Sequence, residues 1–506
     1  MLKCIWTSGF WKNREELASA AGIPDSVTEQ TDGEILEQLA AKEGYSFVPK
    51  MNGYFAFSMY DPETDTTFGA RDRFGARSLY YAQDETGKLI TGRTIAEIFA
   101  SGSIRKEFND RLLETFLGFS YIPGSETFFK GIYRLPAAHM LVCRGGELRT
   151  EPYWQPRIEP DLTVSEEAWA ERIRECLRAS FASFEPGRPL FLSSGIDSNS
   201  LAAMLKPEMT YTARFCVPEF DESVEDSASD VHYNNKLCYI QPDEFLDAVP
   251  KAIRLLEHPS GDASMIALYL LTIYSGQDTD VIYSGECIDE LFYGYFAPRR
   301  YMDAAPGQPE KDGYTGCTHI MRDEQKRKLL RRFYGEKSDV SRMEYAYHLT
   351  VDASAVDQAA MCDIVSYLDG SIMPSIEKEG GDAGVEIRLP YADNRLFETA
   401  LKIPYQLKLK DDQTKYIFRK AVEPILGTEK AFRKKRGFPV PVRIWMKEES
   451  FRGRIREVFE SSEAQELFRT ECLLELLEDQ ENIDRNWRQI WCIYTFLIWY
   501  RLYFGE

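Results

Sequence analysis

Pro189-Leu190-Phe191-Leu192-Ser193-Ser194-Gly195-Ile196-Asp197-Ser198 is the stretch on which the reading of the whole chain turns. The apolar run from Pro189 to Leu192 reads as a short buried strand, and Ser200 to Leu205 opens a helix, so the Ser/Gly residues between them form a strand–loop–helix unit. Such a loop offers backbone N–H groups, the hydroxyls of Ser193 and Ser198 and a helix N-terminus to a phosphate or pyrophosphate, with Ser194 and Gly195 at the turn. Asp197 would repel a phosphate directly, so its useful task there is to hold a magnesium ion that bridges the phosphates. Taken alone, the loop reads more readily as a plain helix start capped by Ser and Asp.

A second unit alters that balance. Asp280-Val281-Ile282-Tyr283 reads as a strand running into Ser284-Gly285-Glu286 and then a helix carrying Asp289 and Glu290. Strands alternating with helices predict a parallel sheet with its site at the carboxyl ends of the strands. Two carboxylate-bearing loops facing one crevice, with Asp197 on the first and Asp289 and Glu290 on the second, would make a metal–pyrophosphate clamp. The competing role for Asp289 and Glu290 is that of acidic residues favoured in a first helical turn.

Outward from this point, residues 44–153 read as short strands punctuated by turns, with Gly53-Tyr54-Phe55-Ala56-Phe57-Ser58-Met59-Tyr60-Asp61 the clearest, then Arg71 to Gly75 and Leu79 to Tyr81. Helical pieces are expected around Glu34–Glu43, Asp110–Leu117 and Ala168–Phe184. The polar connector after Pro156 places a domain boundary near residue 160, giving units 1–158 and 159–506. A length of 506 residues suits two domains, and 44% apolar with 13% aromatic residues suits packed interiors.

The formal charge of −20, from 61 Lys and Arg against 81 Asp and Glu, argues against nucleic acid and anionic membranes as partners. The ten cysteines lack metal-ligand or disulfide spacing, and His139, His232, His258, His319 and His348 suggest neither a metal site nor a triad. With neither a secretory signal nor an apolar run of membrane-spanning length, the expected location is the cytoplasm.

The two loops also resemble the pyrophosphatase loop and the following acidic loop of asparagine synthetases. Glu386-Ile387-Arg388-Leu389-Pro390-Tyr391-Ala392-Asp393 resembles that family's Glu-x-Arg-x-Pro-x-x-Asp segment, and Arg433-Lys434-Lys435-Arg436-Gly437-Phe438 its Arg-x-Lys-x-Gly-Phe stretch. The resemblance implies ATP and Mg²⁺ as cofactors, Asp197 and Asp289 as magnesium–pyrophosphate ligands, and Lys435 as a cation over the departing pyrophosphate. It makes Glu286 the group that orients or deprotonates the attacking amine, with Glu386 a candidate partner for Tyr345 or Tyr347 in a tyrosine–carboxylate base pair. The implied fold is an N-terminal glutaminase β-sandwich followed by a parallel-sheet α/β synthetase domain.

In the first domain, Thr31-Asp32-Gly33-Glu34 resembles the end of the glutaminase pocket, while Asn52 to Phe57 and Arg71 to Gly75 resemble its scaffold. Glutamine-hydrolysing members begin with a cysteine whose own α-amine acts as base. Leu2 follows Met1 here, and Cys4 is the nearest thiol. Only 27 residues separate Cys4 from Asp32, and the family's Arg-Gly-Pro-Asp and Asn-Gly-Glu segments have no counterpart. The domain therefore reads as a vestigial amidotransferase that keeps a scaffold and could serve an interface, including that of a homo-oligomer.

Three functions follow as expectations. The first is an AMP-forming amide ligase or cyclase acting on a small-molecule or peptide carboxylate that carries its own amine, in the manner of β-lactam synthetases or lasso peptide cyclases. The second is ammonia-dependent asparagine synthesis. The third is a silent binding module, which the presence of both Asp197 and Asp289 argues against; Ser194, standing for the family loop's first glycine, argues mildly for it.

Overall fold

Along Gly53–Asp61 alternate side chains face opposite ways, and this period of two organises the first domain. The computed structural model describes residues 1–23, 30–220, 233–314, 316–335, 341–433 and 438–505. Strands β1 (Lys3–Trp11), β2 (Gly53–Asp61), β3 (Thr66–Arg71), β4 (Tyr80–Gln83), β5 (Leu89–Gly92), β6 (Tyr133–Arg134), β7 (His139–Arg144) and β8 (Glu147–Pro152) form two antiparallel sheets, ordered β1-β2-β3-β7-β8 and β5-β4-β6. Phe55, Phe57, Met59 and Phe68 pack on Ile35, Leu36 and Leu39 of the helix Asp32–Glu43. On the other face, Ala56 and Leu141 meet Tyr81 and Leu89 of the second sheet and Leu79 just before it, closing the sandwich that the sequence predicts. Thr31 and Glu34, read as the end of a glutamine pocket, form a capping box on that helix.

The second sheet system is fully parallel. Strands β9 (Leu190–Phe191), β10 (Met209–Arg214), β11 (Asn234–Tyr239), β12 (Val281–Tyr283) and β13 (Glu386–Arg388) are ordered β11-β10-β9-β12-β13. From β9 the chain builds outward in one direction through β10 and β11, and then returns to the other side of β9 with β12. The switch in direction thus lies between β9 and β12, where a crevice opens beyond the carboxyl ends of the strands.

The cores do not divide at the chain boundary near residue 158. Phe116, Phe128 and Phe129 belong to the same continuous core as the synthetase helices, and Phe128 and Phe129 lie against Trp499 at ring separations of 4.9 and 5.5 Å, on the helix Gln480–Phe504. Charged contacts reinforce this seam. Buried Arg71 donates to Asp369 at 2.6 Å, Ala137 N donates to the other Asp369 oxygen at 3.1 Å, and buried Lys12 reaches Ser180 Oγ at 2.6 Å and the Pro390 carbonyl at 3.0 Å. Among the described residues no helix is long and apolar enough to cross a membrane.

A candidate active site at the strand switch

The two loops picked out in the sequence meet over this crevice, because β9 and β12 pair side by side with Tyr283 opposite Leu190. Together they line a cleft of about 390 Å³, with the nucleotide-loop residues Ser193 to Ser198 on one wall and Ser284, Gly285, Glu286 and Asp289 on the next. That volume is of the size that encloses a small ligand.

The first loop is internally tied. The hydroxyls of Ser193 and Ser198 lie 3.0 Å apart, Gly195 N donates to Ser193 Oγ at 3.2 Å, and Asn199 Nδ2 donates to the carbonyls of Ser193 and Gly195, each at 2.8 Å. These bonds fix the loop's shape, so the hydroxyls expected to face a phosphate serve first to brace the turn. The helix Ile196–Leu205 starts at Gly195 with no side-chain cap, so the alternative of a Ser- or Asp-capped helix start is not what the structure shows. An N-terminus without a side-chain cap leaves first-turn N–H groups for an incoming anion.

Asp197 and Asp289 do converge, and on a residue that sequence reasoning missed. Lys415 Nζ lies 2.6 Å from Asp197 Oδ2 and 2.9 Å from Asp289 Oδ1, with the lysine side chain 2% exposed. The backbone of Lys415 is left-handed, at φ 56°, and it stands at the N-cap of the helix Tyr416–Leu426. A cation at a helix N-terminus and a positive φ on a branched-free but bulky residue are both disfavoured, a pairing typical of positions held for function. The sequence shows only a lysine ahead of a helix, and nothing in it names the two carboxylates that the residue meets. Burial opposes the charge of Lys415, but the two carboxylates outweigh burial and hold its pKa above the ordinary lysine value. Arg419 and Arg433 also line this end of the cleft. Asp289 is held in place by a tight turn: Gly294 N donates to its carbonyl at 2.7 Å, and a Cβ on Gly294 would stand 1.7 Å from Asp289 Oδ1.

Glu286 sits on the cleft wall with Ser284 Oγ 3.4 Å away, its pKa pushed up to about 7 by burial and then by Asp289 and Asp197. A carboxyl group poised near neutrality suits proton transfer. Glu290, expected to face the same crevice, is instead buried and accepts from Tyr295, its pKa raised to about 8 chiefly by burial.

Two expectations are corrected. Glu386 is the first residue of β13, at the end of the sheet opposite the cleft, where it pairs with Arg388 at 2.8 Å and faces Arg77 at 3.7 Å. Tyr345 packs by His139 and Arg342, and Tyr347 donates to the Tyr314 carbonyl, so neither forms a base pair with Glu386. The Glu386–Asp393 segment belongs to the domain seam: Asp393 caps the helix Asn394–Lys402 and takes Asn52 and Lys12 of the first domain. Lys435 lies outside the described residues, as does His232. His139 and His258 are partly covered, bonded to backbone carbonyls, and held down to about 4 and about 3 mainly by burial.

The chain thus joins a sandwich domain to a parallel-sheet domain with paired acidic loops at the strand switch. Residues 171–501 match the asparagine synthase model and residues 10–154 the glutamine amidotransferase domain model. The chain belongs to the asparagine synthase family. It is 26% identical to asparagine synthetase [glutamine-hydrolyzing] 1 of Bacillus subtilis (strain 168), over 97% of this chain and 83% of that relative. A putative asparagine synthetase of Mycobacterium tuberculosis H37Rv is 25% identical over 97% and 82%, and the amidase chyE of Penicillium rubens 26% over 82% and 73%.

Proposed function

We propose that this protein uses ATP to activate a substrate carboxylate as an acyl-adenylate, releasing pyrophosphate, and joins it to an amine that the substrate itself carries. The observation that carries this reading is the meeting of Asp197, Asp289 and Lys415 at the carboxyl ends of adjacent strands. Two carboxylate oxygens from separate loops reach one cation at hydrogen-bond distance, and magnesium favours such a site, taking one or two protein carboxylates and completing its shell with water and phosphate oxygens. Bound there, the ion would offset charge on the phosphates. Lys415, Arg419 and Arg433 would hold the phosphate oxygens from the protein side. Glu286, near neutrality, would accept a proton from the attacking ammonium, and the resulting amine would attack the acyl carbon as AMP departs.

Independence from glutamine rests on the first domain. Cys4 lies within strand β1, its peptide N–H given to Glu37 at 3.0 Å and its thiol pushed up to about 11 by burial and then by Glu37 and Asp32. A thiol so far from ionisation is a poor nucleophile. The location that fits this chemistry is the cytoplasm.

The test is incubation of the full chain with ATP, Mg²⁺ and candidate amino carboxylates. The expected products are AMP and a compound lighter than its precursor by one water. Formation of ADP, or no nucleotide turnover with any cell extract, would sink the proposal. Retention of Glu286 supports a second reading, ammonia-dependent asparagine synthesis, which predicts exchange of pyrophosphate into ATP stimulated by aspartate.

A further inference from the structure

The acidic loop is strained at both ends. Its single helical turn, Ile288–Leu291, lies between Cys287 at φ 87° and Tyr293 at φ 59°, and both residues are buried. Left-handed backbone suits glycine at no steric cost, whereas a bulky side chain there is disfavoured and persists only where its surroundings hold it. Asp289, one of the two carboxylates that reach Lys415, stands inside this turn.

What holds Tyr293 comes from two distant parts of the chain. Its hydroxyl donates to Asp357 Oδ1 at 2.6 Å, in the first turn of the helix Ala355–Cys362, and Ser354 Oγ donates to the other Asp357 oxygen at 2.7 Å. The ammonium of buried Lys408, at the end of the helix Tyr405–Lys408, sits 4.0 Å from the centre of the Tyr293 ring, with its charge answered by Asp357. Hydroxyl and ring are thus gripped separately, one by an acid and the other by a cation. Beside them Phe292 packs on Phe418, in the helix that Lys415 caps, at a ring separation of 5.2 Å.

The grip reaches Asp289 through a single residue. Gly294 directly follows Tyr293, closes the turn on the Asp289 carbonyl and lies against the Asp289 carboxylate too closely to carry a Cβ. The turn at Tyr293 therefore sets where Gly294 stands, and Gly294 sets where the carboxylate can point. A tyrosine that only filled space would need no left-handed backbone. We propose that Tyr293, gripped by Asp357 and Lys408, is a positioning residue that aims Asp289 at Lys415 and at the magnesium–phosphate end of the cleft. Its aim at Lys415 is independent of the reaction; its bearing on magnesium rests on the adenylation reading.

Tyr293→Phe keeps the ring over Lys408 and removes only the hydroxyl. In metal-free buffer, Lys415→Met should lower the melting temperature of the wild-type chain and lower that of Tyr293→Phe by less, because Asp289 is then no longer aligned with the lysine. With non-hydrolysable α,β-methylene-ATP present, the Mg²⁺ concentration giving half the rise in melting temperature should increase about 10-fold in Tyr293→Phe, the scale of one buried hydrogen bond to a charged group. The Mg²⁺ midpoint of AMP formation should move with it, while the rate at saturating Mg²⁺ is little changed. Tyr211→Phe is the control: it removes a tyrosine–aspartate bond of 2.8 Å to Asp278, and neither residue lines the cleft. It should lower the melting temperature and leave the Mg²⁺ midpoint in place; an equal shift in both variants would reduce the effect to a general loss of stability and overturn the role. The role is also overturned if the losses from Lys415→Met and Tyr293→Phe add, or if the wild-type and Tyr293→Phe midpoints coincide. A chain that makes no AMP but shows the metal-free coupling would sink the adenylation reading alone, and AMP formation with additive losses would sink this role alone.

Discussion

The domain seam and the cleft both bury charge, and they treat it in opposite ways. In the seam each buried ion meets its complement: Arg71 finds Asp369 and the carbonyls of Arg77, Leu135 and Gly75, while Lys12 finds Ser180, Pro390 and Asp393. Asp72 accepts from the peptide N–H groups of Phe55, Phe74, Ala76 and Arg77. Around the cleft, Glu286 is crowded by Asp289 and Asp197, the buried Glu290 behind it by Asp289 and Glu286, and the buried Glu379 by Glu286 and Asp262, and all three are shifted toward the protonated form, chiefly by burial. Pairing of this kind marks a part of the protein made to stay closed. Crowded like charge marks a part made to receive something.

The contrast can be broken by substitution. Asp197→Ala should reduce AMP formation by about 1000-fold, the scale of losing a principal electrostatic contact to the reacting phosphates, with the fold intact because Lys415 keeps Asp289 as a partner. Quenched-flow or end-point nucleotide analysis measures it, and unchanged turnover would remove this loop from the chemistry. Arg71→Met should do the reverse. It strands buried Asp369 and should cost about 3 kcal/mol of stability by urea unfolding, while any correctly folded fraction keeps its activity per active site.

Lys415→Met tests the border between the two behaviours. Leaving Asp197 and Asp289 to face each other should cost about 2 kcal/mol in metal-free buffer, and added Mg²⁺ should restore part of it. A loss indifferent to Mg²⁺ would show that the pair is merely structural.

The smallest effect is that of pH. Glu286, Glu290 and Asp363 rise from ordinary values of 4.5, 4.5 and 3.8 to about 7, 8 and 7, so across that window the native state holds protons that the unfolded chain has released. Stability should therefore fall as pH rises from about 6 to 8, by a few degrees in melting temperature. His139 and His258, depressed from 6.5 to about 4 and about 3, act with the opposite sign and in a lower window, where stability falls as pH falls. Calorimetry across the neutral range settles it; a melting temperature that rises toward pH 8 would contradict the raised pKa values of these buried acids, and Glu290→Gln should flatten the slope.

What was legible in the sequence was what is local. The strand–loop–helix unit at Ser193–Ser198 and its counterpart at Ser284–Asp289 carry their geometry in a few consecutive residues, and the alternation of Gly53–Asp61 states its own face. The helix expected over Ala168–Phe184 runs Glu166–Phe181, a difference set by the cap of Ser165. Lys415 and Asp262 were illegible because each reaches the cleft from the start of a helix far along the chain from the first loop, and nothing in a lysine or an aspartate names the partner it will meet. Glu386 was misplaced for a related reason. Its motif is recognisable, but only the strand direction shows that its first residue lies at the far end of the sheet.

One consequence of the seam concerns inheritance rather than mechanics. Asp369, Asp393 and Glu257 of the second domain receive Arg71, Ala137 N, Lys12, Asn52 and the N–H groups of Ile95 and Ala96 from the first. A descendant that discarded the first domain would expose these acids and a face of aromatic rings at a single stroke. Selection acting only on the synthetase reaction would therefore preserve the neighbouring domain long after its own chemistry ceased to matter, and its persistence in a genome is no sign that it still handles glutamine.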